Sequence, residues 1–164
     1  MNQNSTIKEQ VLHPEQQNAK ASDAQEARDA TVDSAGCGEE LDERICTALR
    51  AAGDKKALDP LVLDLREVAN FTDYFIITSG ANIRQVQAIA DEVVEQLKRQ
   101  GTRASRVEGY SAAEWVLVDY GDFILHVFED KARKFYELER LWREAKRVQL
   151  PAELTGGSSL RSES

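Results

Sequence analysis

Tyr74-Phe75-Ile76-Ile77-Thr78-Ser79 is an almost wholly apolar run that Gly80 breaks. A strand of that composition has both faces covered, as strands inside a sheet do. Asn82 then stands where it can cap a helix, with Gln85 reaching back from the first turn. Ile83, Val86, Ala90, Val93 and Leu97 form the buried stripe of that helix, and Gly101 ends it. Toward the N-terminus, Leu41, Ile45, Ala48, Leu49 and Ala52 recur at helical spacing up to Gly53, and Pro60 opens a strand over Leu61-Val62-Leu63-Asp64-Leu65. Toward the C-terminus, Ser105 to Glu108 read as extended chain and Gly109 interrupts it. Trp115-Val116-Leu117-Val118-Asp119, the turn Tyr120-Gly121-Asp122 and Phe123-Ile124-Leu125-His126-Val127-Phe128 then read as a β-hairpin. A last helix is expected from about Lys131 to Val148, with Phe135, Leu138, Leu141, Trp142 and Ala145 on its inner face and Pro151 ending it. The order α-β-β-α-β-β-β-α predicts an α/β (α+β) fold, a mixed sheet of about five strands flanked by helices.

The surrounding composition sets the limits of that domain. The chain has 164 residues and a formal charge of −8, with 21 Lys and Arg against 29 Asp and Glu. One domain suits this length. All eleven aromatic residues fall between Phe71 and Trp142. Residues 1–40 have none, and carry three bases (Lys8, Lys20, Arg28) against eight acids. Such a segment cannot bury enough apolar surface to offset chain entropy, so 1–40 reads as a disordered acidic arm. The folded unit is expected over 41–150, and the Gly- and Ser-containing stretch 151–164 as a flexible tail. The acidic balance argues against a nucleic-acid binder and suits a basic partner protein. No run is long enough for a membrane span, and the first 30 residues have neither a signal-peptide core nor the Arg-rich character of a transit peptide. Cys37 and Cys46 make no metal-ligand spacing with His13 or His126 and no disulfide framework, which points to a reducing compartment. Cys46 reads as a small core residue.

Catalytic constellations fall short. Ser79-Gly80-Ala81-Asn82 lies between a strand and a helix, where backbone N–H groups could hold a phosphate, but it is neither a dinucleotide fingerprint nor a P-loop. The turn and element order resemble the nucleotidyltransferase-like fold. Two-metal chemistry on that scaffold needs two acids alternating on one strand face. The residue two after Asp64 is Arg66, and the residue two after Asp119 is Gly121, so neither strand supplies the pair. No metal, cofactor or catalytic residue is expected. An enzyme using Ser79-Gly80 with Asp64 or Asp119 stays a rival reading, as does an adaptor for some other basic protein. His126 has Ser111, Glu114, Asp119 and Asp122 within reach of the same hairpin, so a proton-transfer role stays open beside a structural one.

A surface remains. From Val107 to Asp130 there are six acids and no Lys or Arg, interleaved with Tyr110, Trp115, Tyr120, Phe123 and Phe128. Aromatics ringed by charge are the usual residues of interface hot spots. Helices covering both faces of the hairpin would leave the acids merely solvated, and composition does not choose between the two.

The same residues carry a family resemblance. Thr72-Asp73-Tyr74-Phe75-Ile76-Ile77-Thr78-Ser79-Gly80, Arg84-Gln85-Val86 and Ile89-Ala90-Asp91 resemble the first half of the Iojap/RsfS family, the ribosomal silencing factors. Glu108-Gly109, Glu114 through Asp122, His126-Val127-Phe128, Arg133 through Glu139 and Leu141-Trp142 follow in that family's order. Ala81 departs from it, since Ser or Thr is more usual after that Gly. The resemblance covers about Leu41 to Arg147 and implies binding to the large ribosomal subunit through a small basic ribosomal protein on its intersubunit face. It also implies that small-subunit joining is blocked when nutrients are short, and some members take part in large-subunit assembly. Mitochondrial relatives exist, but the acidic arm favours a bacterial cytosolic member, and with the acidic balance and the lack of an apolar span neither sequence-specific nucleic-acid contact nor a membrane is expected. Carried over residue by residue, the partner contact falls on Trp115, Asp119, Tyr120, Asp122 and Tyr136, with His126 and Arg133 as supports. Asp119 and Asp122 would meet Lys or Arg of the partner, and Tyr120 and Tyr136 would pack in its grooves. An exposed apolar hairpin face could also pair two copies off the ribosome.

Overall fold

The two longest apolar runs lie side by side at the centre of one mixed sheet. The computed structural model describes Cys37 and residues 41–155. The elements are α1 (Glu43–Asp54), β1 (Leu58–Asp64), β2 (Tyr74–Gly80), α2 (Ile83–Arg99), β3 (Arg106–Glu108), β4 (Trp115–Asp119), β5 (Phe123–Glu129), α3 (Asp130–Tyr136), α4 (Leu138–Leu141) and β6 (Lys146–Arg147). A 3-10 turn, Ala152–Thr155, follows. The sheet order is β3-β4-β5-β2-β1-β6. β2 and β5 pair in parallel from Tyr74↔Phe123 to Gly80↔Glu129, and the other pairings are antiparallel. Each central strand is buried at six of seven positions, as an uninterrupted apolar run requires.

Alternation along the strands divides the sheet into two faces. Val62, Ile76, Val116, Val118, Phe123, Leu125 and Val127 point into one apolar cluster with α1, α2 and Leu154. Leu63, Phe75, Ile77, Ile124 and Phe128 point into another, covered by Ala132, Leu138 and Ala145 with Trp142 partly buried against it. The first cover is built from two long amphipathic helices. Val86, Ile89, Ala90, Val93, Val94 and Leu97 are the buried side of α2. Its start is capped as the sequence suggested, with Gln85 N–H donating to Asn82 Oδ1 at 2.8 Å and Gln85 Oε1 accepting from Ala81 N–H at 2.6 Å. Gly80 lets β2 run directly under this helix, because a Cβ there would stand 3.0 Å from the Val86 nitrogen.

Several expectations are corrected. The sheet has six strands, because Lys146–Arg147 pairs with β1 where continuous helix was expected. The helix itself breaks at Glu137, whose φ of +51° is left-handed and resets the phase between α3 and α4. Phe135 and Leu141, expected to face inward, are therefore 79% and 75% exposed, while Leu138 and Ala145 are buried. Ile83 also points outward from the first turn of α2. Leu154 is buried in the first cluster, so the folded unit runs past residue 150. Cys37 and Cys46 are bonded as a disulfide, and both lie in the same apolar cluster. A single pair nine positions apart leaves no framework pattern in a sequence, so only the fold reveals it. Apart from Cys37, the expected acidic arm lies outside the described residues, as does the tail beyond Thr155.

Candidate functional site

The second face of the sheet is only partly covered, and its open part is aromatic. β4 contributes Trp115 and Leu117, both half-buried, and β5 contributes His126 and Phe128. Tyr136, 46% exposed at the end of α3, packs on Trp115 with ring centroids 5.0 Å apart, and Phe135 stands beside it at 5.0 Å. Across the face, Phe71 from the β1–β2 connection is 56% exposed and lies 5.9 Å from the Trp142 ring, edge-on. Phe75 sits beneath both, 6.1 Å from Phe71 and 5.6 Å from Trp142. His126 joins the two groups, 4.4 Å from Phe75 and 5.9 Å from Trp115. The result is an unbroken chain of rings from Phe71 to Phe135, with Val68 and Leu141 exposed at its margin. Rings pack with such centroid spacings when edge and face are offset, and they hold each other rigid.

Trp115 is fixed from three sides. Its indole N–H donates to His126 Nδ1 at 3.0 Å. Phe128 packs on it at 4.8 Å. The chain before it folds back at Gly109, whose φ is +80° and where a Cβ would fall 2.2 Å from the Trp115 carbonyl oxygen. No other residue fits there. His126 is buried, and burial lowers its pKa to about 3, so at neutral pH its Nδ1 is free to accept. The proton then sits on Nε2, which has no hydrogen-bond partner among the described residues.

The remaining expected site residues are scattered. Asp119 shares the face with Trp115 and Leu117. Its Oδ1 accepts from Gly121 N–H at 2.8 Å, and its Oδ2 stands 3.5 Å from the exposed Arg106 guanidinium. Asp122 lies at the end of the sheet, mostly exposed, with Oδ2 2.8 Å from Arg44. That Arg also reaches Asp42, lies over the Phe123 ring, and is held charged well above its usual range by these two carboxylates. Tyr120 requires a correction. One residue beyond Asp119, it turns to the opposite, closed face, where it is 8% exposed and stacks on Phe123 at 4.9 Å. It cannot pack in a partner's groove. Burial raises its phenol pKa, and the hydroxyl has no partner among the described residues. Arg133 is 8% exposed and bolts α3 to the sheet: Nε and Nη2 bond Glu139 at 2.9 and 2.8 Å, and Nη1 reaches Ser79 Oγ at 3.2 Å and the Leu58 carbonyl at 3.3 Å.

The chemistry considered for a nucleotidyltransferase-like site does not assemble. Ser79 is buried and engaged by Arg133. The Ala81 and Gln85 amides are taken by Gln85 and Asn82, and the groove beside them sets Glu114 and Glu129 against the single Arg84, a balance that does not favour a phosphate. Asp64 chelates Arg66, which holds its carboxyl below the usual range. Asp64 and Asp119 stand on opposite faces with β2 and β5 between their strands, so at the ~4.8 Å strand spacing they are about 14 Å apart. They cannot share a pair of metal ions.

Phe71, Val68 and Leu141 were missed in the sequence. An aromatic in a connection, Phe71 between Asn70 and Thr72, was a usable signal. Leu141 was hidden by the assumption of one continuous helix.

Comparison with known proteins gives a consistent answer. A family model described as "Ribosomal silencing factor during starvation" matches residues 38–163. A relative named ribosomal silencing factor RsfS from Halalkalibacterium halodurans is 41% identical over 108 residues, covering 66% of this chain and 92% of the relative. One of the same name from Bacillus subtilis is 44% identical over 98 residues, covering 60% and 83%. A crystal structure of a protein from Chromobacterium violaceum superposes with a TM-score of 0.60 at 33% identity, covering 66% of this chain and 89% of that one.

Proposed function

Because the chain belongs to the family of ribosomal silencing factors, we propose that it docks its aromatic face on a small basic protein of the large ribosomal subunit and sterically blocks small-subunit joining, damping translation under nutrient limitation. The carrying observation is the aromatic face whose exposed members are Phe71, Phe135, Tyr136 and Leu141, seated on buried Phe75 and His126, with Asp119 on the same strand face as Trp115. Such rings supply most of an interface's affinity once water is excluded, while the acids speed encounter with a basic partner and orient it. Trp115, Tyr136 and Asp119 make the contact, joined by Phe71, Trp142 and Leu141. Asp122 lies at the margin. His126 and Arg133 act from beneath, one holding Trp115 and the other holding α3. Tyr120 has no direct part in it.

Blocking requires no reaction, only a rigid body on ground that the small subunit must cover. An interface of ~800 Å² per partner is enough for a stable complex. Holding 99% of subunits silent requires free factor at about 100 times its Kd, so abundance matters as much as affinity. The site of action is the bacterial cytoplasm, and a second role in large-subunit biogenesis uses the same contact. Off the ribosome, the same face pairs two copies of the chain.

Sucrose-gradient cosedimentation with separated subunits, adding the small subunit last, tests the reading. Comigration with the large subunit alone and a loss of joined ribosomes is expected. Protein that stays at the top of the gradient at low salt refutes it. Asp119→Lys should abolish comigration. It loses the Gly121 N–H bond as well, so a stability cost of about 1 kcal/mol is expected with the fold retained. Unfolding of this variant would instead make Asp119 a turn residue only.

A further inference from the structure

We infer that Cys37 and Cys46 form a reversible thiol–disulfide site whose co-reactant is a small disulfide of the glutathione class, and that its state decides whether Cys37 is tied to α1. They are the only cysteines in the chain, so neither has a competing partner within it. Their Cα atoms are 5.8 Å apart, within the range a disulfide requires, and both are 2% exposed. The bond joins positions only nine apart at the front of the folded unit. Neither cysteine belongs to a strand, so breaking the bond unpairs no part of the sheet. Cys46 lies in the first turn of α1 and both cysteines are buried in the apolar cluster, so exchange with a small disulfide follows local opening around the bond. A disulfide in a reducing cytosol is usually a redox-sensing one; this last step rests on the cytoplasmic setting proposed above.

The chemistry balances with a small disulfide as oxidant. One cysteine thiolate attacks it, forming a mixed disulfide and releasing one small thiol. The second cysteine then attacks the protein sulfur of that mixed disulfide and releases the second small thiol. The two protein sulfurs lose two electrons, and these leave with two protons as two reduced small thiols. In the oxidised state Cys37 is tied to Cys46 of α1, and in the reduced state that tie is absent.

The full-length chain, equilibrated in glutathione buffers from fully reduced to fully oxidised, quenched with an alkylating reagent and weighed by mass spectrometry, gives the test. Two alkylated cysteines at the reducing end, none at the oxidising end and a single two-electron transition between them are expected. Limited proteolysis between 37 and 46 should slow at least tenfold on oxidation, and Cys37→Ser should cleave at the reduced rate in every buffer. Two free thiols at the oxidising end, a bond that survives a large excess of reduced glutathione, or stable glutathione adducts in place of the internal bond would each overturn the inference. None of these readings involves ribosomes, so loss of subunit binding and loss of the thiol site are told apart.

Discussion

The two faces of the sheet are made by the same strands yet end up in different states. One is closed by α1 and α2, twelve and seventeen residues long, and every large side chain it receives from β4 and β5 is buried. The other receives α3 and α4, seven and four residues long, set at different phases by Glu137. Alternation gives both faces apolar residues, so what separates them is the length of continuous helix available to cover each. A sheet face needs an amphipathic stripe running its full width, and eleven broken residues cannot provide one. The shortfall leaves Phe71, Tyr136, Leu141 and part of Trp115 exposed, which is what a docking face requires.

Breaking the support of the open face should cost most. Gly109→Ala places a Cβ against the Trp115 carbonyl at a left-handed φ, and a loss of about 3–4 kcal/mol is expected in urea denaturation. A loss under 1 kcal/mol would mean that the 109–114 loop moves freely and does not position Trp115.

Acid acts next, through His126. The unfolded chain binds a proton below about pH 6.5 that the folded protein refuses until about pH 3. Stability is therefore full at pH 7 and falls as the pH drops through that window, by about 3 kcal/mol at pH 4. His126→Gln should flatten the slope between pH 6.5 and 4.5. An unchanged slope would place the proton elsewhere.

Phe71→Ser with Leu141→Ser sharpens the comparison from the solvent side. Both residues are exposed, so stability should move by no more than about 0.5 kcal/mol, while large-subunit binding falls about a hundredfold, or ~2.7 kcal/mol. Equal loss of both would show the face to be core. Tyr120→Phe, on the closed side, should do least. It removes a buried hydroxyl without a partner among the described residues, so stability should hold or rise by up to about 1 kcal/mol and binding should not change. A binding defect in this variant would reverse the assignment of the two faces.

Much of this was legible in the residues. The central strands followed from two apolar runs, and the α2 cap and stripe from Asn82, Gln85 and the 3.6-residue period. Trp115 and Asp119 share one face of β4, but the sequence reading places Tyr120 with them as a contact residue of the turn, and only the fold turns it to the other face. Alternation does not say which face is closed, because that depends on helices packed from elsewhere in the chain. The break at Glu137 was invisible for a related reason. A left-handed residue is usually announced by Gly or Asn, and here tertiary contacts, with Arg133 held by Glu139 and Ser79, impose it on a Glu. β6, two residues long, is likewise defined only by the presence of β1 beside it.

The parallel pairing of β2 with β5 also orders events in time. Phe71 and Trp142 are brought together across the face, but a chain grown from its N-terminus at ~5–20 residues per second adds them several seconds apart. Until Phe123–Glu129 is synthesised β1, β2 and α2 exist without β5, and the face stays incomplete until Trp142 is added. The face is thus completed only after the last rings have been synthesised, and a product ending before Trp142 carries an incomplete one.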